Sequence, residues 1–383
     1  MAHSSSLPTA AAATHPAKIG VLTFHRCINY GSYWQARCLV EALRGMGHRA
    51  VLLDHRSARV DRAEWRCALR PVLPTPVPPA DRKSYARKTR RFLEAFEALP
   101  CSRPFRLDDP SEMEGFDTIV VGSDEVWNMV HPWYGHNPLF FGEGLRARRV
   151  VAYAASFGNY AAAKGLPPHW AGMLRNFHHI SVRDANACAL LRQTLGHAPA
   201  MVLDPCLQFA PPPEDAGASR SGRASHVAVY GHNFSPWFSA RLRDWARRRN
   251  KRLVSIGYRN DWADTQWLTA GPEDFARFMA DADAVATNFF HGCVFALRHR
   301  KPFVCEHSPY RAIKIQDLLG LLGAQDRAAD AATPMALFDA NLSEPPAAAV
   351  EARIATLRAA SSAYLQQALQ ETPEVTRQER VRA

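Results

Sequence analysis

Short apolar runs alternate with stretches of helical periodicity along nearly the whole chain, and this rhythm restricts the fold more than any other feature. The runs fall at residues 18–24, 49–54, 118–122, 150–155, 180–183 and 201–203, and again at 227–230, 253–257, 284–286 and 302–305. Most are continuous Val, Ile, Leu and Ala, as expected of parallel strands covered on both faces. Between the first two, Ala36, Leu39, Val40, Leu43 and Met46 recur at helical spacing, and Gly45 and Gly47 supply a stop. The unit is strand, helix, strand, and the class expected is α/β with a doubly wound sheet.

A chain of 383 residues exceeds what one core fills. Pro, Gly and Ser replace the apolar pattern at 210–225, so this segment is read as the linker between two domains, 18–209 and 226–345. The Ala-rich start, 1–17, is expected to be disordered. Residues 70–80 are Pro-rich and interrupt regular structure. The basic helix at 83–98 therefore reads as an insertion near 70–100 on a stiff tether, suited to act as a mobile arm or lid. Residues 346–383 read as an Ala-rich helix crossing back to the first domain, followed by a tail.

No run approaches the ~18–20 apolar residues of a membrane span, and the N-terminus lacks the charged-then-apolar order of a secretory signal, so a cytoplasmic location is expected. The cysteines are scattered without a CxxC pair, which predicts buried, reduced thiols. A net charge of +11 favours anionic partners such as nucleic acid, acidic membrane surface or phosphorylated small molecules. The densest basic runs, Arg82-Lys83 through Lys88-Thr89-Arg90-Arg91 and Arg247 to Lys251, read as solvated helix faces.

In doubly wound sheets ligands bind beyond the carboxyl ends of strands, where helix N-termini offer free N–H groups. The first strand ends in His25-Arg26-Cys27-Ile28-Asn29-Tyr30-Gly31-Ser32, a loop that could bind a ligand or simply turn and cap the next helix. The third ends in Gly122-Ser123-Asp124-Glu125. There Asp124 could be a general base, a hydroxyl-orienting acceptor or a cap. Trp127, Trp133 and Tyr134 could stack on a sugar or pack in the core. The fourth ends at Ser156-Phe157-Gly158, where small residues permit close approach. Arg183, at the start of a helix, reads as an anion clamp, with a salt bridge to Asp184 or Asp204 as the alternative.

The second half repeats the arrangement at Gly231-His232-Asn233 and at Thr287-Asn288-Phe289-Phe290-His291-Gly292. A histidine at a helix N-terminus points to a compensating bound anion, although structural histidines are the commoner case. Glu306, His307, Arg311 and Lys314 add charge near the next strand end.

Taken in order, NYGSYWQARCLVEAL, FDTIVVGSDEVWN, YAASFG, ISVRDANACALLRQ, VLDPCL and TNFFHGCVFALRHRKPFV resemble the polysaccharide pyruvyl transferase family from about Lys18 to Arg327. The resemblance implies two Rossmann-like domains facing a cleft, as in two-domain (GT-B-like) glycosyltransferases. It also implies transfer of a pyruvyl group from phosphoenolpyruvate, as co-substrate, to two hydroxyls of a saccharide acceptor, with neither metal nor cofactor. On that basis His291 would be the acid or phosphate partner, and Asp124 would orient or deprotonate an acceptor hydroxyl. Arg183, His232, Gly292 and Lys314 would hold the donor. Asn29, Tyr30, Gly31, Ser32, Ser123, Trp127 and Ser156 would contact the acceptor.

One departure matters. Many members resemble an Arg-x-His pattern where this chain has Phe289-Phe290-His291, and the missing cation weakens the case for phosphoenolpyruvate. Another branch of the family has a similar Phe-His-Gly. The alternative is a related transferase with a nucleotide-sugar donor or a small natural-product acceptor. A basic nucleic-acid-binding module ranks last, because no recognisable motif accompanies the charge.

Overall fold

Two six-stranded sheets carry the chain, and every strand pairing in them is parallel. The computed structural model describes residues 16–209, 225–307 and 312–370. The first part of the chain supplies β1 (Lys18–Leu22), β2 (Arg49–Leu52), the short pair β3 (His55–Arg56) and β4 (Phe105–Arg106), β5 (Phe116–Val121), β6 (Ala147–Ala155), β7 (His179–Val182) and β8 (Ala200–Met201). Residues beyond 225 supply β9 (His226–Tyr230), β10 (Arg252–Ile256), β11 (Thr265–Trp267), β12 (Ala284–Thr287), β13 (Phe303–Glu306) and β14 (Ala328–Ala329). The α/β class with Rossmann-like halves is the fold observed.

The strand orders are β2-β1-β5-β6-β7-β8 and β11-β10-β9-β12-β13-β14. Each order reverses direction once, between β1 and β5 in the first sheet and between β9 and β12 in the second. Helices leaving opposite faces part at such a point and open a crevice above the strand ends. The β1 and β5 loops thus flank one crevice, and the β9 and β12 loops flank the other.

The halves are joined by packing. One continuous apolar cluster runs from Ile19, Val21 and Tyr30 through Phe92 and Phe96 to Tyr230, Phe275 and Phe295. Tyr30 stacks on Phe275 with ring centroids 4.5 Å apart and donates its hydroxyl to the Ala270 carbonyl at 2.8 Å. The helix Ala348–Leu369 lies against the first sheet, where Ser361 Oγ accepts from Leu203 N at 3.0 Å and Tyr364 donates to the Ala152 carbonyl at 2.7 Å.

Two expectations are corrected. The basic helix, Arg82–Glu97, is no free arm, because Phe92, Ala95 and Phe96 bury its apolar side in the core joining the halves. Arg91 pairs with Asp274, and Tyr85 Oη accepts from Arg259 N at 3.2 Å, so the helix is tied to the second half as well. Nor is its basic face solvated throughout, since Lys88 is buried. The segments read as a disordered start and as a linker lie outside the described residues, apart from 16–17 and 225.

Candidate active site

The β1 loop reaches the site through a helix cap. Asn29 Oδ1 accepts from Gly31 N at 2.8 Å and Ser32 N at 3.2 Å, which starts the helix Tyr30–Gly45 directly beneath the strand end. Ser32, in the first turn, donates its hydroxyl to Asp124 Oδ2 at 2.8 Å. The other Asp124 oxygen accepts from Glu125 N at 2.9 Å and from an Arg183 Nη at 3.2 Å.

Arg183 extends from the end of β7 and is fully engaged. Its other terminal nitrogen donates to Asp204 Oδ2 at 2.6 Å and to Ser123 Oγ at 3.1 Å, and its guanidinium lies 4.7 Å from the centroid of the Phe290 ring. Burial works against the charge, but Asp204 and Asp124 outweigh it and hold the guanidinium protonated. The salt-bridge alternative to Asp204 is the one observed, and the same guanidinium also pairs with Asp124.

His291 is brought in from the second half by the helix Phe290–Arg298, and its Nε2 stands 3.7 Å from Asp204 Oδ2. That is too long for a hydrogen bond, and Nε2 has no other partner among the described residues. Burial would raise the Asp204 carboxyl, but the imidazole and Arg183 hold it well below the usual range. Asp204, Cys206 and His291 present ligand atoms within 4.8 Å of one another, so these three could hold a metal ion. In this arrangement Asp204 is already bonded to Arg183.

Lys314 does not stand open to a donor. It forms an ion pair with Glu125 across the halves, and although burial would raise the Glu125 carboxyl, Lys314 and Asn128 bring it down to about 2. His232 packs against the rings of Tyr258 and Phe289, at centroid distances of 5.0 and 5.3 Å. Phe289 itself also meets Tyr230 and Tyr258, so the position where the resemblance places an arginine is part of an aromatic cluster. Gly292 serves packing, because a Cβ there would meet Thr287 Oγ1 at 2.0 Å.

Four residues expected to contact the acceptor are buried with internal partners. Trp127 lies in the first-half core and donates its indole N–H to the Phe140 carbonyl at 2.8 Å. Ser156 Oγ accepts from Gly158 N at 2.9 Å, and Ser123 Oγ accepts from Arg183. Tyr30 belongs to the junction described above. Of the remaining three, Asn29 and Ser32 line a cavity between the halves, whereas Gly31 faces the His291 ring. Arg311 lies outside the described residues.

That cavity, of about 250 Å³, is walled by Asn29, Ser32, Asp124 and Glu125 together with Glu64 and with Lys88, a member of the basic run expected on a solvated face. Burial raises the Glu64 carboxyl to about 7, even though Cys27 and Ile28 N act in the opposite direction. Glu64 lies on the helix Ala58–Leu69 among arginines and looks like one more solvated acid. No local signal marks it.

The polysaccharide pyruvyl transferase family matches this chain over residues 29–306. Among solved structures, HepE from Anabaena in complex with UDP is 13% identical over 91% of this chain and 100% of that one, with a TM-score of 0.43. UDP-GlcNAc 2-epimerase from Neisseria meningitidis bound to UDP-GlcNAc is 9% identical over 92% and 94% of the two chains, with a TM-score of 0.46. ADP-heptose LPS heptosyltransferase II from E. coli is 12% identical over 91% and 99%, with a TM-score of 0.36. No curated protein matches.

Proposed function

The chain belongs to the polysaccharide pyruvyl transferase family and is a transferase, and from that premise we propose that it moves a pyruvyl group from phosphoenolpyruvate to two hydroxyls of a saccharide, forming a cyclic ketal. The observation that carries this reading is the meeting of His291, from the second half, with Asp204 and Arg183, from the first, where the two sets of strand ends converge.

The reaction asks for an acid, a hydroxyl-directed base and cations. The donor methylene carbon takes up a proton, which leaves an oxocarbenium-like centre at the carbon bearing the phosphate ester. One acceptor hydroxyl adds there and releases its proton. Phosphate departs with the C–O electron pair, and the second hydroxyl closes the ketal and releases its own proton. His291 gives the proton or holds the phosphate, and Asp204 stands beside Nε2 as the negative partner of a ring that moves a proton. Arg183 fixes Asp204 and Asp124 in place. Asp124 acts through Ser32, whose hydroxyl it holds on the cavity wall, where an acceptor hydroxyl can approach.

Phe289 favours a second reading, a nucleotide-sugar donor on the same scaffold, because it puts an aromatic ring where the resemblance places a cation. A ligand that binds only the folded state raises its melting temperature, so thermal shift separates the two. Stabilisation by phosphoenolpyruvate, with phosphate release from it in the presence of saccharide acceptors and loss of that release in His291→Ala, is the expected result. Stabilisation by nucleotide sugars alone would replace this reading with the second.

A further inference from the structure

The buried Lys88 amine has no charged partner among the described residues. Its side chain belongs to a residue only 3% exposed, yet its single described hydrogen bond is to the Gly257 carbonyl, at 2.9 Å. No carboxylate pairs with it among the described residues, and an ammonium has three donors to satisfy. Its other neighbours are rings: Tyr258, Tyr30 and Phe92, at 4.4, 5.1 and 6.0 Å from the nitrogen to the centroids. Ring faces compensate a buried cation only in part. Burial alone pushes the amine down to about 7.

The position gives this imbalance a direction. Lys88 is on the wall of the cavity between the halves, and it supplies the only Lys or Arg there among the described residues. The acids on the same wall do not need it. Asp124 is paired with Arg183 and Glu125 with Lys314, while burial raises the Glu64 carboxyl to about 7. The Tyr258 ring that faces Lys88 also contacts Phe289, with ring centroids 5.5 Å apart.

We propose that Lys88 is an oxyanion-binding residue of this cavity, supplying to the phosphate or carboxylate of the donor the positive charge that Phe289 does not. The proposal rests on the functional reading above, with the cavity taken as the place where donor and acceptor meet. Unpartnered buried charge is costly in the free protein and useful once an anion arrives, a compromise characteristic of binding sites.

The test compares the wild-type chain with Lys88→Met, which keeps length and packing, using phosphoenolpyruvate, inorganic phosphate, pyruvate and UDP as separate probes in calorimetry and thermal melts. The expected result is a melting temperature without ligand that is unchanged or higher, with affinity for the phosphorylated or carboxylate probe lowered roughly ten- to a hundredfold, as for loss of a charge-assisted hydrogen bond. Loss of phosphate or UDP binding with no phosphoenolpyruvate binding in wild type would keep Lys88 and overturn the pyruvyl reading. Equal affinity of variant and wild type, or no binding of any probe to the wild type, would overturn the role of Lys88. Should the variant not fold, wild-type crystals soaked with phosphoenolpyruvate or phosphate decide. An oxyanion on Lys88 Nζ supports the proposal, and one seated elsewhere overturns it.

Discussion

The His291 ring occupies the space that a side chain at Gly31 would need: a Cβ built on Gly31 would lie 2.0 Å from His291 Nδ1. Helix preference would favour Ala over Gly in the first turn of Tyr30–Gly45 by up to ~1 kcal/mol. The structure requires Gly because two halves of the chain meet there. Gly31→Ala is therefore expected to displace the imidazole from Asp204, and a shift of about 1 Å lowers turnover by roughly a hundredfold. Steady-state kinetics beside circular dichroism checks this, and wild-type turnover in a folded variant would refute it.

Asp204 holds together the most deeply buried charges of the site. Asp204→Asn leaves the buried Arg183 guanidinium with Asp124 as its remaining carboxylate. Breaking a buried pair in this way costs about 3–5 kcal/mol. Urea denaturation should show the loss as a lower midpoint with an unchanged slope.

The pair of Glu125 with Lys314 makes an acid-side prediction. The Glu125 carboxyl lies at about 2 in the fold against 4.5 as a free side chain. Its contribution is present above the unfolded value and is lost as pH falls from 4.5 through about 2. Glu125→Gln should flatten that part of the stability profile, and an unaltered profile would show that the ion pair is not the source.

Glu64 has the opposite sign. Its folded value, about 7, lies above the free value of 4.5, so its stabilising effect is fully present below pH 4.5 and is lost as pH rises through 7. Relative to the wild type, Glu64→Gln should gain stability on the alkaline side. Chemical denaturation at pH 5 and pH 8.5 measures the difference, and a constant offset between the two proteins would sink the prediction.

The layout is written in local patterns of the chain. Continuous apolar runs separated by helical periodicity specify parallel strands covered on both faces, and their ends put Asp124 and Arg183 in loops, and Ser32 and His291 in first helical turns, beside the two crevices. Those patterns are local, so they are legible in one dimension. How the charges are used depends on long-range packing. Arg183 reads alike whether it awaits an anion or already grips Asp124 and Asp204, and Lys314 gives no hint of Glu125, 189 residues away. Lys88 and Glu64 sit in helical stretches rich in arginine, where periodicity suggests water, but Lys88 turns inward to the Gly257 carbonyl of the second half and Glu64 to Ile28 N beside β1. Burial and electrostatic partnership depend on which distant segments meet across a junction, and a sequence pattern reports only the near neighbours of each residue.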